Sequence, residues 1–532
     1  MREYIVTLRQ HDDLESFYED MEYPGGPFYL PDRCTSCVNR RPVSRNTHYM
    51  LTDEEAVLLE QDPRVENVSL PPAELGLHPT PFFEQTSSNW NKNNTNNSAH
   101  RNWGLLRCFE QAQRSNWGSN GTVSQTGTVN IPGEGRDVDV VIVDGHFFDD
   151  HPEFSNRFVA YNWFSLNPEV NPSDGRTVYE YTPVVDAGNP DRTADNNHGA
   201  HVAGTAVGSL QGWARSANIY CLNLYSTSNN PIASEVLFDY IREFHRIKPV
   251  NPATGRKNPT IVNNSWGFAG AVASNTISSV QFRGVTYTSP FTEAQLREDY
   301  GIMAGVRETG TTIFLGRVPA VDADLLDAVN EGIIMVGAAG NDSYYMDVPG
   351  GDDFNNRLFI GSSFVYYHRG GSPSSSPGSI CVGAIGTTVN EAKATFSNCG
   401  PRVDIYAPGV SIISSLNSGG VADSRDSSFR TGKFSGTSMA CPQVTGVLAC
   451  ALETNPQWTP SQALDYLVAT SGKDQITDTG GGFADFTSLQ GSPNRYLAFR
   501  AERPPSGATF PRLTVFIRPV AGATFPRTRI RR

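Results

Sequence analysis

Near-continuous apolar runs of strand length recur along the middle of the chain, at residues 138–143, 219–224, 261–262, 333–336 and 380–385. A strand with one face in water alternates polar and apolar residues. These runs do not, so both faces must be covered. Segments with helical patterning lie between several of them, among them 234–244 and 322–330. Strands alternating with helices predict an α/β fold, a parallel sheet with helices on both faces. Such a sheet binds ligands outside the carboxyl ends of its strands, and polar residues at those ends are the first candidates for chemistry.

At 532 residues the chain has room for a large core and an accessory unit. Residues 1–77 read as a small α+β unit. It has a strand at 4–8, a short helix at 13–21, a helix over 52–60 and a strand at 65–70. Thr52 followed by Glu55 gives the third of these a capping box. A stretch rich in Pro, Gly and Arg, 23–43, interrupts the pattern. Residues 78–101 include SSNWNKNNTNNSAH, which offers little to bury; an exposed linker holding a processing site is expected there. The α/β pattern fills 102–500. Residues 501–532 form a tail with two copies of GATFPR, too few for a solenoid, and an arginine-rich end.

A formal charge of −13 argues against nucleic acid as a partner, because phosphate binding needs a basic surface. No apolar run reaches the length of a membrane span, and MREYIVTLRQHDD lacks the apolar core of a secretory signal. The compartment stays open. Eight cysteines are sparse for this length, so disulfides are optional. Cys34 and Cys37 have half a zinc-knuckle spacing with no second half nearby; free thiols or a local disulfide are expected.

Four polar residues stand at element ends. Asp144 closes VDVVIVD, His198 opens HGAHVAGTAVG, Asn341 closes IIMVGAAGN, and Ser438 precedes a segment apolar at Val444, Val447, Leu448 and Leu452. Taken singly, each has a plain structural reading. An Asp or Asn at a strand end is commonly a turn residue, and a loop His carries little information. His201 lies three residues after His198, but a zinc pair on a helix wants i, i+4 spacing and a Glu. Pro442 belongs in a first turn, which puts Ser438 at or just before a helix N-terminus. Unpaired N–H groups and the positive dipole end there favour a nearby anion.

In this order, with HGAHVAGT and SGTSMA around them, the residues resemble the subtilisin-like serine proteases (subtilases), whose Asp, His, Ser order is an established template. The likeness spans residues 102–499 and includes Asn102-Trp-Gly-Leu105, His151-Pro-Glu-Phe154, Phe396-Ser-Asn398, Tyr406-Ala-Pro-Gly409 and Gly491-Ser-Pro-Asn494. It implies a sheet of seven or so parallel strands and a serine endopeptidase acting through an acyl-enzyme. Ser438 would be the nucleophile, His198 the general base and acid, and Asp144 the group that fixes the imidazole. Asn341 and the Ser438 N–H would hold the oxyanion. Asn264, Ser265, Trp266 and Gly267 would be the strand edge that pairs with bound peptide, and with Ala338, Ala339 and Gly340 would bind the substrate. The implied partners are protein or peptide substrates. No cofactor is required; relatives often bind structural calcium, but no motif here assigns ligands.

The first unit resembles the family's propeptide, which implies an intramolecular inhibitor and a zymogen. A permanent accessory domain is the other reading. Departures from the family pattern are Asp144-Gly145-His146, Ala200 in HGAH, Cys441 and Gln443 in SMACPQ, and Trp266 where a smaller residue is usual. His146 is expected to be an incidental loop residue, and Trp266 to reshape a subsite. Residues 268–319 and 342–379 are longer than the family core and are expected to form a rim over the cleft that limits access to folded substrates. A catalytically silent module used in assembly or binding is the alternative function. The complete set of four polar residues disfavours it. The absence of G-x-S-x-G around Ser438 disfavours an esterase.

Overall fold

The computed structural model describes residues 1–22, 37–41, 43–81, 84–85, 103–110, 133–145, 147, 150–154, 157–159, 197–224, 234, 236–387, 391–423 and 425–499. Its centre is an eight-stranded sheet. Across it run Gly472–Lys473, Arg495–Tyr496, Ile405–Pro408, Ile380–Ile385, Ile334–Ala338, Thr260–Asn264, Asp139–Asp144 and Asn218–Asn223. All neighbours are parallel except the Gly472–Lys473 edge, which leaves the seven parallel strands expected. After its first strand the chain moves outward to one side, then crosses back and builds the rest on the other. The reversal falls between Asp139–Asp144 and Thr260–Asn264, a switch point of the kind where such sheets bind ligands.

The pleat of the first strand explains its composition. Val140 and Ile142 point into one hydrophobic core, and Val141 and Val143 into another. Helices His198–Val207 and Thr437–Thr454 cover the first face, and Leu237–Ile247 and Pro319–Asn330 the second. Small residues let the first pair close up: a Cβ on Gly446 would lie 2.6 Å from the Ala206 carbonyl oxygen.

Residues 1–77 hold a four-stranded antiparallel sheet ordered Cys37–Arg40, Asn46–Leu51, Arg2–Leu8, Val65–Ser69. Helices Leu14–Glu22 and Asp53–Leu59 pack on it around Val6, Phe17 and Tyr49. Thr52 caps the second helix with both capping-box bonds in place, at 3.2 and 2.8 Å. The interrupting stretch 23–43 is more than a break, because it contributes the strand Cys37–Arg40 and then Arg41. Arg41 is fully buried against the second pair of helices: Nε donates to Asp239 at 2.9 Å and Nη2 to Asp324 at 2.5 Å. The Ser44 hydroxyl and the Asn46 amide also donate to Asp324, and Arg45 pairs with Asp327 at 3.2 Å. The composition of 23–43 gave no sign of this, since its partners lie some two hundred residues away or more. Cys34 and the Cys37 side chain lie outside the described residues, as do His146 and residues 501–532.

The segment read from composition as an exposed linker begins differently. Residues His78–Pro81 form a strand antiparallel to Trp266–Ala269, and Glu84–Gln85 pair with Phe434–Ser435. The Asn-rich part, 89–98, lies outside the described residues. The two long regions meet in one antiparallel sheet ordered Val285–Thr288, Ile277–Phe282, Arg357–Ile360, Ser363–Tyr366. A second link ties Arg283 to Asp353 at 2.8 Å. The chain enters that sheet from Trp266–Ala273, a strand of a separate three-stranded sheet that also holds residues 78–81.

Candidate active site

Asp144 sits at the carboxyl end of its strand, buried, and accepts from the Gly145 N–H at 2.8 Å. His198 Nδ1 lies 2.8 and 2.9 Å from its two carboxylate oxygens. Both side chains are about 1% exposed, so this link is shielded from water and fixes which ring nitrogen carries the proton. Gly199 makes the approach possible: its N–H donates to the Gly145 carbonyl at 3.0 Å, and a Cβ there would lie 2.0 Å from that oxygen. His198 therefore opens its helix against the Asp144 loop. Asn197, just before it, accepts from the Ser418 N–H at 2.9 Å and anchors the turn.

His201 is a packing residue, not a second base. Its Nε2–H donates to the Ile412 carbonyl at 2.9 Å and its ring stacks on Phe434 at 4.6 Å. Burial pushes it down to about 3, so it stays neutral. Among the described residues no group of three His, Cys, Asp or Glu side chains is placed to hold a metal ion. No helix of the described residues is long and apolar enough to cross a membrane.

Ser438 is the second residue of helix Thr437–Thr454, with extended Gly436 at the N-cap. Its own N–H is one of the first-turn donors that no helix carbonyl can use. Pro442 falls inside the helix, not in the first turn as expected, and the consequence is local. A proline has no N–H to give the carbonyl four residues back, so the Ser438 carbonyl is left over. The Ser265 hydroxyl takes it, donating at 3.0 Å, and the Ser438 hydroxyl donates in return to the Ser265 carbonyl at 2.8 Å. The nucleophile candidate and the strand end after Asn264 are thus stitched twice. Asn263 supports them: its amide donates to the Ser265 hydroxyl at 2.9 Å.

Asn341 follows Gly340, whose φ of 106° lies in the left-handed region that suits glycine. Its Oδ1 accepts from the Thr437 N–H at 2.9 Å and the Thr437 hydroxyl at 2.8 Å. That choice leaves Nδ2 as the free end. It is buried and has no partner among the described residues. A buried amide donor without an acceptor carries a desolvation cost of about 1–3 kcal/mol. Thr437 went unread in the sequence, although SGTS placed it beside Ser438. Asn398 was seen only as part of a motif. Its side chain accepts from the N–H groups of Asp342 and Tyr344 at 3.1 and 2.9 Å and donates to the Ala339 carbonyl at 2.7 Å, fixing the loop around Asn341.

The remaining candidates divide. Ser265 bonds directly to Ser438, and the Gly340 N–H donates to the Thr437 hydroxyl at 3.0 Å; Ala338 ends its central strand with Ala339 next to it, and Gly267 lies in the strand Trp266–Ala273. The Asn264 side chain turns into the sheet toward the Val336 carbonyl at 3.4 Å, so only its backbone is positioned for a ligand. Trp266 is fully buried and stacks edge-on with Phe268 at 5.6 Å. Its bulk fills the core rather than a subsite. The two departures in SMACPQ have local partners: Cys441 Sγ donates to Asn263 Oδ1 at 3.3 Å, and Gln443 Oε1 accepts the Trp213 indole N–H at 2.7 Å.

Comparison with known proteins agrees with this layout. Residues 135–491 match the model of the Subtilase family. Subtilisin-like protease 8 of Arthroderma benhamiae is 27% identical over 411 residues, covering 73% of this chain and 63% of the relative. The extracellular serine proteinase of a Thermus strain is 24% identical over 430 residues, covering 80% and 71%. The crystal structure of a cold adapted subtilisin-like serine proteinase aligns over 75% of this chain and 98% of its own, at 22% identity and a TM-score of 0.44. The chain thus spans just under two thirds of the length of the fungal relative. With the family model matched over most of the chain and its motifs gathered at one sheet switch point, this protein belongs to the subtilase family.

Proposed function

We propose that the protein is a serine endopeptidase that works through Asp144, His198 and Ser438 and is made as a zymogen. The observation that carries this reading is the buried Asp144–His198 link on a helix packed directly against the helix that bears Ser438. In the reaction the Ser438 hydroxyl leaves the Ser265 carbonyl and gives its proton to His198 Nε2 as Oγ attacks a peptide carbonyl. Asp144 keeps the ring oriented and balances the imidazolium charge. The oxyanion falls to the Ser438 N–H and the Asn341 amide, whose unmet donor is turned to use only when that charge develops. His198 then protonates the leaving amine, and water hydrolyses the acyl ester by the same relay. No cofactor enters these steps. The first unit would act as the inhibitor, held by the Arg41 network. The joined sheet of residues 277–288 and 357–366 would form the rim. Slower cleavage of a folded protein than of a short peptide tests that part.

The decisive experiment is labelling by a serine-directed fluorophosphonate with mass mapping. Adduct on Ser438 that disappears in His198→Ala supports the peptidase. A protein that takes no label, even after removal of residues 1–101, is the silent module instead.

A further inference from the structure

The loop that carries the open Asn341 amide also carries a buried charge. Asp342 follows Asn341 directly, and its side chain is only 3% exposed. Arg307 reaches it from the long region 268–319, with Nε 2.6 Å from Oδ1.

Both partners are held from behind. Next to Asp342, Ser343 takes a left-handed φ of 59°, which a residue with a Cβ keeps only where its surroundings fix it. Its N–H donates to the Phe396 carbonyl at 2.8 Å and its hydroxyl to the Thr395 carbonyl at 2.6 Å. Arg307 sits on a tight loop between Gly305 and Gly310, whose φ values of 68° and 86° suit glycine. Glu293 clamps that loop, accepting from the Gly310 N–H at 2.8 Å and the Ser274 hydroxyl at 3.1 Å. The Gly305 N–H donates to the Thr311 carbonyl at 2.8 Å, and Arg297 Nη1 to the Ala304 carbonyl at 2.6 Å. A further bond joins the same two regions, from the Tyr344 hydroxyl to the Ile313 carbonyl. The guanidinium is therefore presented to Asp342 by a braced arm.

Charge gives this arrangement a purpose. In acyl transfer a negative charge grows on the oxygen that the Ser438 N–H and the Asn341 amide would hold. A buried carboxylate one residue away opposes that growth, and little water is present to screen it. An arginine on the carboxylate cancels most of its field. Because the Arg307 side chain is 43% exposed, it brings the opposite charge without a large desolvation cost.

Resting on the peptidase reading, we propose that Arg307 is a positioning residue for the oxyanion step, acting through Asp342. It keeps the Asn341 loop from bearing a net negative charge while the tetrahedral intermediate forms, and it leaves ground-state binding of substrate unchanged. The region 268–319 then contributes to the electrostatics of the site as well as to its rim.

The test is the rate at which a small fluorophosphonate labels Ser438, with kcat and KM on a fluorescent casein peptide in parallel. Both reactions build negative charge on an oxygen at the same place. Arg307→Met keeps the aliphatic stem and loses the charge; it should slow labelling and lower kcat about ten-fold with KM little changed. Arg307→Lys keeps the charge and should stay within about two-fold of wild type. Adding Asp342→Asn to Arg307→Met should restore the rate, because the charge to be cancelled is gone. An Arg307→Met variant as fast as wild type, a double variant as slow as the single one, or a loss carried by KM overturns the inference and leaves the peptidase standing. A wild-type chain that takes no label, with or without residues 1–101, removes both.

Discussion

Around Ser438 the buried polar groups are mostly neutral, and they meet where strand ends face the start of one helix. Thr437 serves Asn341, Asn263 serves Ser265, and Ser265 and Ser438 exchange two bonds. Where the first unit meets the catalytic unit, the buried groups are ions brought from far apart: Arg41 between Asp239 and Asp324, with Arg45 and Asp327 beside them. A neutral network costs little to bury once its bonds are made. A charged one must recover a solvation cost of several kcal/mol per ion and does so only while every member is present. The first kind tolerates one donor left open, as at Asn341. The second acts as a clasp, strong when complete and weak when one ion is lost.

Four measurements probe that contrast. Ser438→Ala should lower kcat on the order of 10⁶-fold and leave the urea midpoint of the chain where it was. In the Ser438→Ala background, Arg41→Met should do the opposite. It strands two buried carboxylates and should lower stability by about 3–5 kcal/mol, measured by urea unfolding of the first unit's tryptic-protected core. Adding Asp239→Leu and Asp324→Leu should recover most of that loss. Failure to recover would mean that shape, not charge, holds the units together. Asn341→Ala should reduce kcat about 10²–10³-fold with KM little changed, and Thr437→Val should do so more mildly, because it removes the hydroxyl bond to Oδ1 and keeps the backbone one.

Stability should also respond to pH. Burial holds His201 near 3 and His368 near 4, against about 6.5 for the unfolded chain. Above pH 6.5 both states are neutral and nothing is lost. Below it the unfolded chain binds protons that the folded chain refuses. Stability should therefore fall as pH drops from 6.5 toward 4, by about 1.4 kcal/mol per pH unit for each histidine. Thermal melts of Ser438→Ala across that range check it, and a flat melting temperature would mean that these rings are solvated.

The contrast also marks what was readable beforehand. The sheet strands and the four polar residues at element ends were legible because each depends on short-range pattern: apolar runs, a capping box, small residues before a buried helix. Pro442 was misplaced by less than one turn, since sequence showed a proline but not the Ser265 hydroxyl that relieves it. The role of Arg41 was not legible at all. Nothing within a window of residues 23–43 names a partner at 239 or 324.

Sequence alone thus determined the α/β layering and the family, and singled out Asp144, His198, Asn341 and Ser438 as polar residues at element ends, because periodicity and motif spacing are local properties of the chain. Tertiary structure alone decided which way the Asn341 amide faces, that Trp266 belongs to the core, and that residues 78–81 and 84–85 pair with two separate strands. Those depend on groups remote in sequence being packed together, and only the tertiary fold brings them into contact.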